Sequence, residues 1–168
     1  MPVISPPTSS EDAFKRGQAC LERRTYQEAA AYFQLALDIE KQEGSKNASM
    51  RYLSYLGLAF NLGQGRSEEG LKMCEEAAKR DFFDADLFCN LGIVYLRCRQ
   101  RGPAFKAFDR GLKLRPKHRR ILEELDRYDR RSHPVFSFLA RDNPFNVMAG
   151  RMRARLRDIL DRFAPTEA

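Results

Sequence analysis

Apolar residues in this chain recur at three- and four-residue spacing, the period of helices with one buried face. Ile121, Leu122, Leu125 and Tyr128 form one such stripe in KHRRILEELDRYDRR (117–131), and Met148, Met152, Leu156, Ile159, Leu160 and Phe163 form another in the last helix. Polar punctuation separates the stripes. Thr25 with Glu28 makes a capping-box pattern that starts a helix near Tyr26. Ser67 is placed to cap a helix beginning at Glu68, Gly102-Pro103 puts Pro at a first helical position, and Pro116 ends that helix. The expected fold class is all-α.

The stripes repeat. YLSYLGLAFNLGQGRSEEGLKMCEEAAKRD (52–81) aligns with LFCNLGIVYLRCRQRGPAFKAFDRGLKLRP (87–116). Leu56-Gly57 matches Leu91-Gly92, Phe60 matches Tyr95, Gly70 matches Ala104, and Ala77 matches Gly111, a period of 34 to 35 with one residue of slack in GQGRS. An earlier copy in 13–40 carries Gly17, Tyr26, Ala29, Phe33 and Ala36 at matching offsets, followed by the polar stretch KQEGSKNASM. Small residues let two helices approach closely while Leu and aromatic side chains fill the space between layers. One helix pair cannot bury its faces alone, so the pairs must stack.

These residues resemble the tetratricopeptide repeat family. Leu91, Gly92, Tyr95, Ala104, Phe108, Gly111 and Pro116 fit its motif in the third copy, and Leu56, Gly57, Phe60, Gly70, Cys74 and Ala77 in the second. The first copy departs from it, with Arg16 and Cys20 where Leu and Tyr are usual. The resemblance implies an α-solenoid of three helix hairpins, with repeats at about 10–43, 50–83 and 84–117 and a capping helix at 117–131, and the apolar spacing adds a C-terminal amphipathic helix within 141–168. Residues 1–9 are expected to be a disordered lead-in, and 132–140 an apolar linker. In function the resemblance implies an adaptor or scaffold that holds a peptide or helix in a concave groove. The first helix of each pair would line that groove. Its candidates are Phe14, Gln18 and Leu21, then Arg51, Ser54, Leu58, Asn61 and Leu62, then Asp86, Cys89, Ile93, Leu96 and Arg97. The strip is distinctly apolar, so the expected guest is an amphipathic helix or extended apolar peptide.

Some relatives clamp the C-terminal carboxylate of heat-shock chaperones with Lys, Asn and Arg at set groove positions. Here those positions hold Phe14, Gln18, Tyr55, Asp86 and Asn90, with no cation, and Asp86 would repel a carboxylate. No acidic tail is expected to be held in that way.

The tail admits several readings. SHPVFSFLA (132–140) breaks the helical pattern, because Pro134 disfavours helix at His133. Asn143-Pro144 then restarts a helix, with Asn as N-cap and Pro at the first position. Phe136, Phe138, Met148, Met152, Leu156 and Phe163 offer apolar surface, with five arginines around the last helix. It could be a lid over the groove, a docking surface for a partner or a second copy, a membrane-surface helix, or a phosphate-binding arm. The absence of Trp, the presence of Asp158 and Asp161, and the lack of any nucleic-acid motif weigh against membrane and nucleic acid. The tripeptide Asn143-Pro144-Phe145 matches a short endocytic ligand, but helix capping accounts for it.

Composition adds little that would change this picture. At 168 residues, with 43% apolar and 32% charged residues, the chain can build a core without metal or disulfides. Neither a signal-peptide pattern nor an apolar run of about 18 residues occurs, so a cytoplasmic location and reduced cysteines are expected. The spacing of Cys20, Cys74, Cys89 and Cys98 matches neither a zinc site nor a redox pair, and each acts as a small hydrophobe in a helix. Net charge is +7, of which residues 117–168 supply +4. His118 and His133 lie in junctions, and no phosphate loop, carboxylate pair or base-activated nucleophile occurs. No enzyme, cofactor, metal or small-molecule substrate is expected.

Overall fold

The computed structural model describes residues 6–43, 49–63 and 65–131, without the side chains of 129–131. The described residues form seven helices and no strand: α1 (Ser10–Glu22), α2 (Tyr26–Gln42), α3 (Met50–Gly63), α4 (Ser67–Arg80), α5 (Ala85–Arg97), α6 (Arg101–Leu114) and α7 (Arg119–Arg131). The chain divides into a unit Met1–Ile121 and a unit Leu122–Ala168. In the first unit the helices pair as hairpins, α1 with α2, α3 with α4, α5 with α6, and the pairs stack through α2 on α3, α4 on α5 and α3 on α5. In the second unit, the described part of α7 carries an ion pair between Arg127 and Glu124 one turn apart.

Glycines set the distance within each hairpin. A Cβ on Gly17 would lie 2.5 Å from the Phe33 ring, and one on Gly92 would run into the Phe108 ring, so each ring lies flush on bare backbone. The second hairpin solves the same problem differently. Cys74 stands where the other two have Phe, and a Cβ on Gly57 would meet the Gly70 carbonyl oxygen at 2.6 Å, so here two backbones touch.

The turns between paired helices share one device. Arg24, Gly65 and Arg99 adopt left-handed backbone, with φ of 63°, 66° and 62°. After α1, the Arg24 N–H donates to the Leu21 carbonyl and Thr25 N–H to the Cys20 carbonyl; after α5, Arg99 and Gln100 do the same to Leu96 and Tyr95. This is the Schellman closure, which usually places Gly where Arg24 and Arg99 stand.

The helix starts correct three sequence-based expectations. Thr25 does precede α2, but its side chain caps nothing there; the hydroxyl turns back to donate to the Cys20 carbonyl at 3.3 Å. Ser67 is itself helical rather than a cap. Pro103 is the third residue of α6, where a missing N–H still costs no helical bond. Among the described residues, side-chain caps form at Ser9 on α1 and Asp84 on α5, accepting from Asp12 N–H and Asp86 N–H.

Two apolar clusters fill the array. One lies between α1, α2 and α3 around Phe14, Phe33, Tyr52 and Tyr55; the other lies between α3, α4, α5 and α6 around Leu58, Leu87, Phe88 and Val94. Among the described residues, no helix is long and apolar enough to cross a membrane.

Candidate partner-binding face

Helices α3 and α5 pack directly, and polar side chains bridge them at two levels. Asn90 donates through Nδ2 to Ser54 Oγ at 3.1 Å, and both residues are fully buried. Two turns further on, Arg97 Nε donates to Asn61 Oδ1 at 3.0 Å, while Asn61 Nδ2 donates to Cys98 Sγ at 3.6 Å. Leu58 packs in the core between these rungs. Buried amides need partners, and these satisfy one another across the helix pair.

The end of this face near the start of α5 is closed by residues from beyond α6. His118 is 3% exposed and sits against Asp86, Nε2 to Oδ1 at 3.1 Å. Its Nδ1 accepts from Ile121 N–H at 3.4 Å, so Nε2 carries the proton and donates it to the carboxylate. Arg115 pairs with the other Asp86 oxygen at 3.4 Å. Arg120 donates to the Tyr55 hydroxyl at 2.9 Å and to Asn90 Oδ1 at 3.0 Å, and lies 3.8 Å from Asp86. Burial pushes the Tyr55 phenol up, with the Arg120 charge opposing. Sequence reasoning places no cation at the clamp positions Phe14, Gln18, Tyr55, Asp86 and Asn90, and those positions carry none. The structure brings one from outside the repeats. The available signal was chemical: Asn90 and Asp86 on an apolar helix require partners.

The candidate groove residues separate into two sets. Phe14 is in the core, its ring 5.0 Å from Tyr52 and Tyr55 and 5.5 Å from Phe33. Ser54, Leu58, Asn61 and Cys89 are buried as well, so all five contribute to packing rather than to open surface. Gln18, Leu21, Arg51, Leu62, Ile93 and Leu96 are half-buried, and Arg97 is exposed. Leu21, Leu62 and Ile93 pack against the second cluster while keeping part of their surface. Arg51 stacks its guanidinium 4.4 Å over the Phe14 ring. A shallow cleft continues past this end, lined by Arg51, Asp81, Phe83, Asp84, Asp86 and Arg115. Phe83 is 75% exposed there, and sequence reasoning missed it. Phe136, Phe138, Met148, Met152, Leu156 and Phe163 lie outside the described residues.

No disulfide joins the four cysteines. Cys74 is fully buried and donates to the Ser54 carbonyl, and burial pushes its thiol up to about 12. It is therefore inert at neutral pH. Among the described residues, no cluster of His, Cys, Asp and Glu could hold a metal ion.

No family model matches the sequence. No curated protein matches it either. Solved structures do. The TPR domain of Sgt2 from Aspergillus fumigatus is 21% identical, covering 76% of this chain and 82% of that one with a TM-score of 0.57. The TPR domain of Arabidopsis OM64 is 17% identical, covering 73% and 95% with a TM-score of 0.56. YrrB, described as a TPR protein with an unusual peptide-binding site, is 19% identical over 70% of this chain, with a TM-score of 0.52. This chain spans 57% of the YrrB chain and 18% of the matched chain in a Naa15/Naa10 complex bound to HypK-THB. Stacked hairpins, ring-on-glycine contacts and these likenesses agree, and the chain has the tetratricopeptide-repeat fold.

Proposed function

We propose that the chain is a protein–protein interaction module, an adaptor, scaffold or chaperone-like assembly factor that holds an apolar peptide or helix on the face of α1, α3 and α5. The carrying observation is the pairing of two features there. Leu21, Leu62, Ile93 and Leu96 keep exposed surface. The amides beside them are already satisfied by Ser54, Cys98, Arg97 and Arg120. A guest meets aliphatic surface without having to complete the host's hydrogen bonds. Gln18, Arg51 and Arg97 supply polar contacts at its rim.

Because Asp86 and Asn90 are engaged by the chain's own residues, a chaperone C-terminal peptide is expected to bind more weakly than about 100 μM, about −5.5 kcal/mol. The direct test uses an amphipathic helical peptide of about four turns with Leu at i, i+4 and i+7. The Leu62→Glu/Ile93→Glu pair should weaken its binding at least about tenfold at unchanged helicity. Binding should also persist in about 0.5 M salt, whereas phosphate binding through the arginine-flanked segment 141–163 would collapse there. Unchanged affinity in the double variant sinks the proposal. A cover formed by the C-terminal tail, the apolar stretch 132–140 with the last helix, belongs to the same reading, and tighter peptide binding by a chain ending at Arg131 is its expected mark.

A further inference from the structure

Residues 97–120 carry ten Lys and Arg against one acid, Asp109, while the other 144 residues carry twenty basic and twenty-two acidic side chains. The whole positive excess of the chain therefore falls in this stretch of sequence, α6 and its flanks; of its ten cations, Arg97, Arg115 and Arg120 turn to Asn61, Asp86 and Asn90. Lys106, Arg110 and Lys113 fall at i, i+4 and i+7 on α6, a stripe about 10 Å long, opposite the buried Ala104, Ala107, Phe108 and Gly111. Arg99 precedes α6 in the chain and Lys117 and Arg119 follow it, and all six are exposed. Arg110 lies 4.9 Å over the Phe88 ring and Lys113 pairs with Asp109 at 2.6 Å, which holds two of the cations in place.

A solvated helix face ordinarily mixes signs. On α4, Glu68, Glu69, Glu75 and Glu76 alternate with Lys72, Lys79 and Arg80. On α6, Lys106 and Arg110 one turn apart repel by a few tenths of a kcal/mol. Such a field attracts and orients an anionic partner. Phe105 and Leu114, 36% and 39% exposed, lie among the cations. A phosphate backbone would take the cations but leave these apolar side chains unmatched. One exposed aromatic is also too few for a platform of stacked bases.

We infer that the outer face of α6 with its flanks docks an acidic segment of a partner protein, one that sets Asp and Glu at helical spacing around apolar residues. This surface is on the second helix of the last hairpin, and its occupation does not depend on the α1/α3/α5 face.

The experiment uses the full chain and four probes: a peptide of about twenty residues with Glu at helical spacing around Leu and Phe, its Gln counterpart, a single-stranded oligonucleotide, and a phosphatidylserine-containing vesicle. The Glu peptide should bind, weaken about tenfold between about 0.05 and 0.3 M salt, and exceed the Gln peptide about tenfold. Lys106→Glu/Lys113→Glu/Lys117→Glu should lose about tenfold in affinity, and the milder Lys106→Gln/Lys117→Gln about threefold, at unchanged helicity. Leu62→Glu/Ile93→Glu should leave Glu-peptide binding intact, which separates this surface from the apolar face. Equal binding of Glu and Gln peptides overturns the inference. So does full affinity in both α6 variants, or an oligonucleotide or vesicle bound about tenfold more tightly than the Glu peptide.

Discussion

Replacing Arg120 by Ala removes the one cation that ties Tyr55, Asn90 and Asp86 together. Each hydrogen bond from a charged donor contributes about 1.5–3 kcal/mol. Arg120 is 36% exposed, so water can replace part of what is lost, and its 3.8 Å approach to Asp86 adds only about 0–1 kcal/mol. The Tyr55 hydroxyl keeps Gln18 as a neighbour, whereas Asn90 Oδ1 is left in a fully buried residue. The expected loss is about 2–3 kcal/mol. At about 2.1 cal/mol/K per residue over the 121-residue unit, Tm should fall by about 8–12 °C. Urea unfolding of the full chain measures the first figure and calorimetry the second. Arg120→Lys should recover less than half, since an ammonium cannot match the two-donor fork. A cycle with Asn90→Ala should show about 1–2 kcal/mol of coupling. A single-variant loss below about 0.5 kcal/mol, or additivity within that margin, would refute the claim that the chain closes this end of its own face.

Three further outcomes follow from packing, backbone and protonation. Gly70→Ala drives a Cβ into the Gly57 carbonyl oxygen, a backbone atom, and should cost at least about 2–3 kcal/mol in urea unfolding. Arg99→Gly relieves a left-handed non-glycine residue and should stabilise by about 0.5–1 kcal/mol, with a small rise in Tm; a fall would mean that the Arg99 side chain contributes more than its backbone costs. The Cys74 thiol and the Tyr95 phenol are both pushed up to about 12, chiefly by burial, so the folded chain holds these protons longer than the unfolded one. Their contribution is complete below about pH 9 and is lost as pH rises toward 12, so denaturation midpoints should decline over that window. A flat profile from pH 8 to 11 would contradict it.

The hairpins were legible because their determinants are local. Gly17 with Phe33, Gly57 with Gly70 and Cys74, and Gly92 with Phe108 lie within seventeen residues of each other, inside a single repeat, and recur at a fixed period. The open face was only half legible. A first helix of an inner repeat contacts its own partner and both neighbouring repeats, so little of its circumference stays free. On α3 that turns Ser54, Leu58 and Asn61 inward and leaves Leu62 partly open. Helical spacing alone gives the same apolar stripe for either orientation. Thr25 shows the same limit for caps: the residue type is right, but its hydroxyl answers the preceding helix.

Arg120 was illegible for another reason. It sits 65 residues from Tyr55 and 30 from Asn90, and no periodicity links such positions. What the sequence does contain is demand. Ser54, Asn61 and Asn90 interrupt otherwise apolar helices, and a buried amide left unpaired costs about 1–3 kcal/mol. Ser54 and Asn90 satisfy each other only in part, because an Asn side chain has a carbonyl as well as an amino group. The Asn90 carbonyl therefore needed a donor from elsewhere, and Lys-His-Arg-Arg directly after Pro116 was the nearest cationic segment at the end of the last repeat. Once Arg120 meets that need, the buried amides of the face are spent internally. What remains to attract a partner is aliphatic, rimmed by Gln18, Arg51 and Arg97, on the α1/α3/α5 side and cationic along α6. A single partner engaging both would need an apolar segment and an acidic one, separated by enough chain to pass around the third hairpin.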